Sequence, residues 1–468
     1  MVYVNMAKIL LIAYDSEMYV SWFPQGLAYI ASSLLKAGHE VDIHQQDTNH
    51  YADSVLTNRL NTVKYDLVGV GSCGGYYQYQ KLIKISEAIN ASKNRTNFKF
   101  MIGGHMVSPE ARYFLKKTGA DIIVIGEGEE TVVELVNAVT NNSSLRNIKG
   151  IAYRIGEFTY FNDRRPLVKD IDSIPMPAYH LFDMNSYRLL RMPHCTNTDF
   201  VMPLLSGRGC THKCSFCYRM DKGFRARSPE KIIKEIKFLQ RTYGITYIAF
   251  SDELLMSSKK RTVELCRAFI EADLNIKFDC NGRLNYATPD VLKLMKDAGC
   301  VFINYGIESI DDTVLKNIHK DLTVNQIVKG VEATLNAGIS PGLNIIFGNI
   351  GDTKETLYKG VDFLLKYDDG SQLRTIRPVT PYPGCELYYH AIKKGLLKDV
   401  EEFYEIKHTN SDLLSVNFTD LSDEEFHNEL FIANSILIKN HFKNKCDTTI
   451  DEAEKLYYNM NKDFRGFR

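Results

Sequence analysis

Short apolar runs separated by helix-length intervals recur along this chain, and this alternation constrains its fold more than any other feature. Five such runs stand in the first part of the sequence, at residues 9–13, 41–43, 67–70, 100–102 and 122–125. A strand buried on both faces reads as a continuous apolar run, and strands joined by helix-length segments pair in parallel. Residues 1–140 are therefore predicted to form an α/β domain with a doubly wound parallel sheet.

A second alternation begins near residue 200, where a helix end, a glycine and a strand follow one another repeatedly. Six strands are predicted there, near residues 202–206, 247–252, 277–280, 301–305, 343–347 and 374–379. Six strand–helix units predict a partial (β/α)6 barrel over residues 200–384, with its reactive side chains at the carboxyl ends of the strands. Residues 141–199 are predicted as a connector that contains a hairpin, and residues 385–468 as a mostly helical C-terminal region.

The composition predicts a cytoplasmic protein without a nucleic-acid or membrane partner. The 468 residues include 57 Lys and Arg and 57 Asp and Glu, so no excess of positive charge is available for nucleic acid or an anionic membrane. No apolar run has the length of a membrane span, and the first residues lack the features of a signal peptide. Seven of the ten cysteines are scattered singly, which argues against disulfides and predicts a reducing compartment. These are Cys73, Cys195, Cys266, Cys280, Cys300, Cys385 and Cys446.

The other three cysteines, Cys210, Cys214 and Cys217, share one short segment with the spacing C-x3-C-x2-C. Three thiolates on one loop can hold three corners of a cubic [4Fe–4S] cluster, and one iron is then left without a protein ligand. An open metal position is typical of a catalytic site. The alternatives are a fragment of a zinc site and a chance group of thiols. Zinc sites usually pair two C-x2-C units, and the sequence contains no second unit.

This segment resembles the cluster loop of the radical S-adenosylmethionine (SAM) superfamily. The resemblance implies that the open iron binds SAM and that one electron, from a donor such as flavodoxin or ferredoxin, cleaves SAM to methionine and a 5′-deoxyadenosyl radical. It also implies a SAM pocket built from aromatic residues of the loop and polar residues at the barrel strand ends. The implied SAM-binding residues are Phe216, Tyr218, Glu253, Arg283, Glu308 and Ser309. Arg283 is expected to hold the carboxylate of SAM, because a guanidinium binds a carboxylate with two parallel hydrogen bonds.

The first domain resembles the flavodoxin-like cobalamin-binding domain that precedes many radical SAM cores. Small or polar residues follow its third, fourth and fifth strands, where a flat ligand can approach the backbone. The implied cobalamin-binding residues are Ser72, Gly103, Gly104, Gly126, Glu127 and Gly128. One departure stands out: the motif D-x-H-x-x-G, which supplies a histidine to cobalt, is missing from residues 14–19, and His44 is interpreted as an ordinary polar residue at a strand end. The alternative is a flavodoxin-like module without this ligand.

Together the two resemblances imply a cobalamin-dependent radical SAM enzyme with one [4Fe–4S] cluster, most often a methyltransferase that acts on an unactivated carbon through methylcobalamin. Members that cyclise, oxidise or rearrange rings, such as the anaerobic protoporphyrin ester cyclase, remain an alternative. A methylthiotransferase is disfavoured, because the cysteines of a second cluster and a basic RNA-binding module are missing. A non-catalytic sensor is a further alternative, although no DNA-binding appendage is visible. The expected substrate is a small molecule or a peptide.

Overall fold

The structure is a computed structural model that describes residues 5–18, 20–220, 222–443 and 447–467. Tyr19, at the end of the loop that lacks the histidine motif, and Cys446 lie outside the described residues. The chain divides into two compact units, Met1–Leu190 and Arg191–Arg468. The first unit thus includes the predicted α/β domain together with most of the segment expected to act as a connector.

The first unit contains a seven-stranded sheet with the order β2-β1-β3-β4-β5-β6-β7. Its strands are β1 (Lys8–Ala13), β2 (Glu40–Gln45), β3 (Leu67–Ser72), β4 (Lys99–Gly104), β5 (Ile122–Val124), β6 (Ile151–Ile155) and β7 (Phe158–Phe161). The first five pair in parallel, as the sequence predicts. The predicted hairpin is also present, and β6 adds it to the sheet by pairing antiparallel with β5. Sequence spacing gave no sign of that attachment.

Helices cover this sheet, as the continuous apolar strands require. They are α1 (Gln25–Lys36), α2 (Gln46–Asn49), α3 (Asp53–Thr62), α4 (Tyr76–Asn90), α5 (Ala111–Thr118) and α6 (Glu129–Thr140). Leu11 in β1, Leu67 in β3 and Ile122 in β5 are fully buried in one apolar core. This core fixes the strands, so that the loops after their carboxyl ends hold a defined position.

The second unit contains the predicted partial barrel, a six-stranded sheet with the order β15-β14-β13-β12-β11-β8 in which every pairing is parallel. Its strands are β8 (Val201–Leu204), β11 (Tyr247–Phe250), β12 (Lys277–Gly282), β13 (Cys300–Glu308), β14 (Ser340–Phe347) and β15 (Arg377–Pro378). A separate two-stranded ribbon, β9 (Gly207–Arg208) with β10 (Arg225–Ala226), follows β8. The α/β fold class is therefore confirmed in both units.

Helices follow the barrel strands and then continue to the C-terminus. They are α7 (Pro229–Tyr243), α8 (Lys259–Glu271), α9 (Pro289–Asp297), α10 (Asp312–Asn317), α11 (Val324–Asn336), α12 (Lys354–Lys366), α13 (Glu386–Lys393), α14 (Val400–Glu402), α15 (Asp423–Phe442) and α16 (Asp447–Tyr457). Thr323 and Gln326 form a capping box at the start of α11. Within the described part of the chain, no helix is long and apolar enough to cross a membrane.

Candidate functional site

The loop that carries the three cysteines is closed at its base by the ribbon of β9 and β10. Gly209 follows β9 with a φ of 86°, a conformation that favours glycine. A Cβ at this position would collide with the backbone carbonyl of Gly223 on the opposite side of the neck. The narrow neck makes residues 209–224 one loop whose two ends are held together.

Backbone hydrogen bonds fix this loop against the rest of the second unit. The Ser215 amide donates to the carbonyl of Ile318 over 3.0 Å, and the Leu387 amide donates to the carbonyl of Ser215 over 2.9 Å. Within the loop, the Cys217 amide donates to the carbonyl of Cys214 over 3.2 Å, which closes a tight turn between these two cysteines. The thiols therefore stand on a backbone that is ordered by its neighbours.

The thiols affect one another electrostatically, which shows that the fold brings them together. None of the three is fully buried. The surrounding protein nevertheless desolvates Cys217 and raises its pKa to about 12, and the neighbouring Cys214 is the second cause of this rise. Cysteine binds metal as the thiolate, so cationic iron has to drive the loss of these protons. Lys320 and Arg283 help, because both act to lower the pKa of Cys214.

This donor set of three thiolates fits an iron–sulfur cluster. Among the described residues, no three His, Cys, Asp or Glu side chains come close enough together to hold one metal ion, as a zinc site requires. In a cubic cluster each thiolate binds a different iron, so such close convergence is not needed. Two cations beside three thiolates also suit a cluster whose total charge is negative.

A buried ion pair lies next to the cysteine loop. Lys320 Nζ donates to Glu308 Oε1 over 2.8 Å, and both side chains are about nine-tenths buried. Burial alone would lower the pKa of Lys320, but Glu308 and Cys214 outweigh that effect and raise it, so the lysine is charged. The ammonium also lies 6.0 Å from the ring centroid of Phe216 in the cysteine loop. Lys320 thus joins the cysteine loop to the end of β13.

Local backbone irregularities create the space for this pair. The register of β13 against β14 shifts between Gly306 and Glu308, and Glu308 has a φ of 70°. A Cβ on Gly306 would collide with the Glu308 carboxylate and come within 2.9 Å of Lys320 Nζ. Such strain at a strand end is typical of functional sites.

Arg283 is buried next to the backbone of residues 320–321. Its guanidinium donates to the backbone carbonyls of Lys320 and Asp321, the second over 3.0 Å. Its Nε is buried without a hydrogen-bond partner among the described residues. Part of the guanidinium therefore positions the segment that carries Lys320, and its role toward the SAM carboxylate stays a prediction.

The other predicted SAM residues differ in their surroundings. Ser309 is buried directly after Glu308, whereas Glu253 is exposed. The fully buried neighbour of Glu253 is Asp252, whose carboxylate accepts hydrogen bonds from the Ser206 amide (2.7 Å), the Ser206 hydroxyl (2.6 Å) and the Gly207 amide (2.8 Å). Burial raises the pKa of Asp252 to about 6 despite these donors. Asp252 fixes the start of the ribbon that carries the cysteine loop.

A row of three asparagines crosses the face of the barrel sheet that lies opposite the helices. Asn281 donates to the carbonyl of Asp252 (2.8 Å), Asn304 donates to Asn281 Oδ1 (3.1 Å), and Asn344 donates to Asn304 Oδ1 (2.8 Å). The next residue after Asn304, Tyr305, shares a hydrogen bond with Thr334 of α11, so Asn304 points to the other face. Asn344 ends the row and is exposed. Its Nδ2 donates to Asn304 Oδ1 and to the carbonyl of Tyr305 (3.3 Å), which leaves its Oδ1 available to a bound molecule.

Sequence reasoning missed Lys320, Asp252 as a support of the loop, and the asparagine row. A lysine between two helices is normally exposed, so its burial depends on Glu308 and on the bulge in β13. The asparagine row depends on the register of three neighbouring strands. The polar strand ends gave the single usable signal. That signal marked the segment of Asp252 and Glu253 but not the buried hydrogen bonds of Asp252.

The predicted cobalamin residues of the first unit lie at the carboxyl ends of β3, β4 and β5. The Ser72 hydroxyl donates to the carbonyl of Gly103 over 3.0 Å. Gly104 has a φ of 114°, and a Cβ there would collide with the carbonyl of Ser72, so the two strand ends approach as closely as glycine permits. This backbone cradle, which a Cβ would fill, fits the approach of a flat ligand.

The predicted residues after β5, and His44 in β2, contact other parts of the first unit. Glu127 Oε2 accepts from the Val168 amide over 2.8 Å, which ties this loop to residues after the hairpin. Gly126 has a φ of 85°, and a Cβ on Gly128 would lie 2.8 Å from Ile30. His44 is buried within β2, and burial lowers its pKa to about 4.

A family model of known proteins matches part of each unit. Residues 204–364 match the Radical SAM superfamily model, and residues 13–136 match the B12 binding domain model. The chain is 29% identical over 404 residues to an uncharacterised methyltransferase of Pyrococcus horikoshii, with 84% of this chain and 85% of that protein covered. It is 26% identical to the anaerobic magnesium-protoporphyrin IX monomethyl ester cyclase of Rubrivivax gelatinosus, with 83% and 70% covered.

Two solved structures share the fold. The cobalamin-dependent SAM radical enzyme OxsB matches with a TM-score of 0.75 at 16% identity, covering 98% of this chain and 74% of that one. The radical SAM methyltransferase TsrM from Kitasatospora setae matches with a TM-score of 0.69 at 17% identity, covering 83% and 78%.

The second unit, with its partial barrel and three-cysteine loop, thus contains a radical SAM domain, and the first unit contains a B12-binding domain. The chain therefore has the two domains of a cobalamin-dependent radical SAM enzyme. Its cofactors are a [4Fe–4S] cluster, SAM and cobalamin.

Proposed function

We propose that this enzyme methylates an unactivated carbon of a small molecule or peptide. Support comes from the P. horikoshii methyltransferase, which the chain matches across both domains and over 85% of that protein's length. Hopanoid C-3 methylase of Methylococcus capsulatus, 24% identical over 439 residues, is a further similar methylating enzyme. When bound, the cluster and SAM supply a radical able to abstract hydrogen, and cobalamin supplies the methyl group.

The main observation that supports a SAM site is the buried Lys320–Glu308 pair beside the cysteine loop. Cys210, Cys214 and Cys217 would hold the cluster. The charged ammonium of Lys320 faces the region of the thiols, where the carboxylate of a SAM molecule bound at the open iron needs a cation. Glu308 is the acceptor at the same place, suited to a hydroxyl or ammonium donor. Arg283 adds a second cation and positions the loop of Lys320.

The asparagine row supports a substrate with polar groups. Asn344 is the exposed end of a chain of side-chain amides that starts at the carbonyl of Asp252. Because each amide in the row donates to the preceding one, the Oδ1 of Asn344 is oriented as an acceptor. A hydroxyl, amine or amide of the substrate would fit this position.

The electron donor, the other partners and the location of the enzyme are part of the same proposal. We propose a flavodoxin or ferredoxin as electron donor, since the cluster must receive an electron before SAM is cleaved. The balance of 57 basic and 57 acidic residues supports a partner set without nucleic acid. The isolated cysteines support the cytoplasm as the location.

The experiment uses SAM with a deuterated methyl group. Anaerobically purified enzyme, loaded with cobalamin and supplied with a reductant, is incubated with a metabolite extract from its source organism. We expect a product whose mass increases by one trideuterated methyl group, and no such product from enzyme without cobalamin. A modified product that lacks the label would favour the second candidate, ring closure or oxidation, to which the similarity with the R. gelatinosus cyclase points.

A further inference from the structure

Arg377 places a cation on the face of the barrel sheet that carries the asparagine row. A Cβ on Gly360 of α12 would lie 3.5 Å from Ile345 in β14 and 3.6 Å from Ile376, which directly precedes β15. Both isoleucines therefore point toward the helices. Because neighbouring side chains of a strand point to opposite faces, Asn344 and Arg377 point away from the helices.

Arg377 lies next to the exposed end of the asparagine row. It pairs with Ile346 of β14, two residues beyond Asn344. The Cα atoms of Asn344 and Arg377 are therefore about 8 Å apart, since neighbouring strands lie about 4.8 Å from each other and rise about 3.3 Å per residue. Ile346 is the last but one residue of β14. Both polar side chains thus stand near the carboxyl ends of the strands, where barrel enzymes bind their substrates.

The guanidinium of Arg377 is held by one carboxylate and is otherwise open. Its Nε lies 2.9 Å from Asp412 Oδ1, and the side chain of Arg377 is 58% exposed. Among the described residues, none forms a hydrogen bond or ion pair with its two terminal nitrogens. By contrast, Arg374 is buried and donates to the carbonyl of Pro341 over 2.6 Å and to Asp369 over 2.8 Å. Arg374 is used up by the fold, whereas Arg377 keeps donors for a bound molecule.

The C-terminal region fixes Asp412 in place. The Asp412 amide donates to Asn410 Oδ1 over 2.9 Å, and the buried Asn410 donates to the carbonyl of Phe464 over 3.0 Å. The neighbouring Ser411 shares a hydrogen bond of 3.2 Å with the hydroxyl of Tyr382. An ordered carboxylate beside Nε restricts the guanidinium before any ligand arrives, which lowers the entropy cost of binding.

We infer that the substrate carries a carboxylate that binds the terminal nitrogens of Arg377, while a hydrogen-bond donor of the same substrate binds Oδ1 of Asn344. The inference rests on the proposed function and names the chemical class of its substrate. A planar guanidinium matches a carboxylate with two parallel hydrogen bonds. Asp412 offsets part of the positive charge, so the site suits the single charge of a carboxylate better than the nearly double charge of a phosphate.

The direct test measures binding without turnover. Saturation-transfer NMR is recorded on the anaerobic full chain loaded with cluster, SAM and cobalamin, with benzoate, the neutral benzamide of the same shape, and phenyl phosphate as probes. We expect the strongest transfer to benzoate in the wild type, and a fall to the benzamide level in Arg377→Gln. The double variant Arg377→Gln/Asp412→Asn leaves no unpaired carboxylate and should show the same loss. Arg267→Gln, at an exposed arginine of α8, is the matched control and should behave like the wild type.

Turnover tests the same contact on the natural substrate. The metabolite extract is separated on an anion exchanger, and each fraction is incubated with the enzyme and trideuterated SAM. We expect the converted compound in the retained fraction. In Arg377→Gln its half-saturating concentration should rise roughly 10- to 100-fold, with little change in maximal rate, because a charge-assisted pair is lost. Arg377→Lys should lie between the two. If the ion pair only ties β15 to the C-terminal region, stability will fall and the half-saturating concentration will stay as in the wild type.

Four results would overturn the inference. They are equal transfer to benzoate and benzamide in the wild type, benzoate transfer that persists in Arg377→Gln, stronger transfer to phenyl phosphate than to benzoate, and a converted compound that the anion exchanger does not retain. Conversion of a retained compound without the methyl label would contradict methyl transfer and leave the carboxylate site standing. A failure of the proposed function is therefore distinguishable from a failure of this inference.

Discussion

Lys320 Nζ and Glu308 Oε1 lie 2.8 Å apart in a site where both side chains are about nine-tenths buried, and the lysine also approaches the ring of Phe216. A buried ion pair rarely adds stability over an apolar pair of the same size, because both charges lose their hydration. Its location beside three cysteines supports the proposed role of these charges in binding SAM. Substitutions of the two residues should separate these roles.

Lys320→Met should reduce stability and SAM affinity together. Removal of the lysine leaves the Glu308 carboxylate buried and unpaired, which costs about 3–5 kcal/mol in the free energy of unfolding. Loss of one charge-assisted hydrogen bond to SAM, worth about 1.5–3 kcal/mol, should raise its Kd roughly 10- to 100-fold. Calorimetry of the anaerobic, cluster-loaded protein measures SAM binding, and chemical denaturation measures stability.

The double variant Lys320→Met/Glu308→Gln distinguishes the two effects. It should recover much of the lost stability, since no unpaired charge remains, but not the SAM affinity. Lys293→Met is the matched control: Lys293 pairs with Asp297 over 2.6 Å, and both side chains are exposed. That variant should change neither SAM binding nor stability by more than about 1 kcal/mol. Full SAM affinity in the double variant would refute the role of Lys320.

Gly306→Ala should disturb the same site without removing a charge. The added Cβ would meet the Glu308 carboxylate and Lys320 Nζ, so the pair has to move. We expect weaker SAM binding with an unchanged iron content, since the cysteines are untouched. Gly26→Ala is the control, because a Cβ there meets nothing within 4 Å. Equal SAM affinity in both variants would show that the pair need not be held in place.

Replacement of Cys210, Cys214 and Cys217 by alanine should abolish the cluster. Wild-type protein reconstituted without oxygen should hold about four irons per chain, with broad visible absorption and cleavage of SAM to 5′-deoxyadenosine. The triple variant should lose all three properties. Cys195→Ala, at a half-buried cysteine of the same unit outside the loop, is the control and should keep them. SAM cleavage in the triple variant would remove the basis of the radical SAM assignment.

Asp279 should make stability depend on pH. Burial raises the pKa of Asp279 to about 7, and its Oδ2 has no hydrogen-bond partner among the described residues. Between about pH 4 and pH 7 the folded state keeps the proton on Asp279, whereas the unfolded chain has released it, because its ordinary pKa is about 3.9. The contribution of Asp279 to the free energy of unfolding therefore falls as the pH rises from about 4 to 7. Asp279→Asn should remove that fall, worth at most about 4 kcal/mol.

Denaturation at pH 5 and pH 8 measures this effect. The free energy of unfolding of Asp279→Asn, taken relative to that of the wild type, should be higher at pH 8 than at pH 5. Asp362→Asn, at an exposed carboxylate in α12, should show no such difference. An identical pH dependence in the wild type and Asp279→Asn would contradict the prediction.

The parallel sheets and the cysteine loop could be predicted from the sequence, because each depends on local spacing. The continuous apolar runs define β1 to β5, and three cysteines within eight residues define the cluster loop. The attachment of β6 to β5 could not be predicted, since both strands lack a signal that selects their partner.

The remaining site residues required the folded chain. Lys320 is buried because Glu308 reaches it across a bulge, and the amides of Asn304 and Asn344 meet because β13 and β14 adopt one particular register. Each of these relationships depends on long-range geometry that residue spacing does not contain.

The fate of SAM during turnover tests the central claim most directly. With the substrate identified by the deuterated methyl label, the amounts of 5′-deoxyadenosine, S-adenosylhomocysteine and methylated product are measured in the same reaction. The account predicts one 5′-deoxyadenosine and one S-adenosylhomocysteine for each methyl group transferred, because one SAM generates the radical and a second supplies the methyl group. Formation of 5′-deoxyadenosine and a modified product without S-adenosylhomocysteine would contradict methyl transfer.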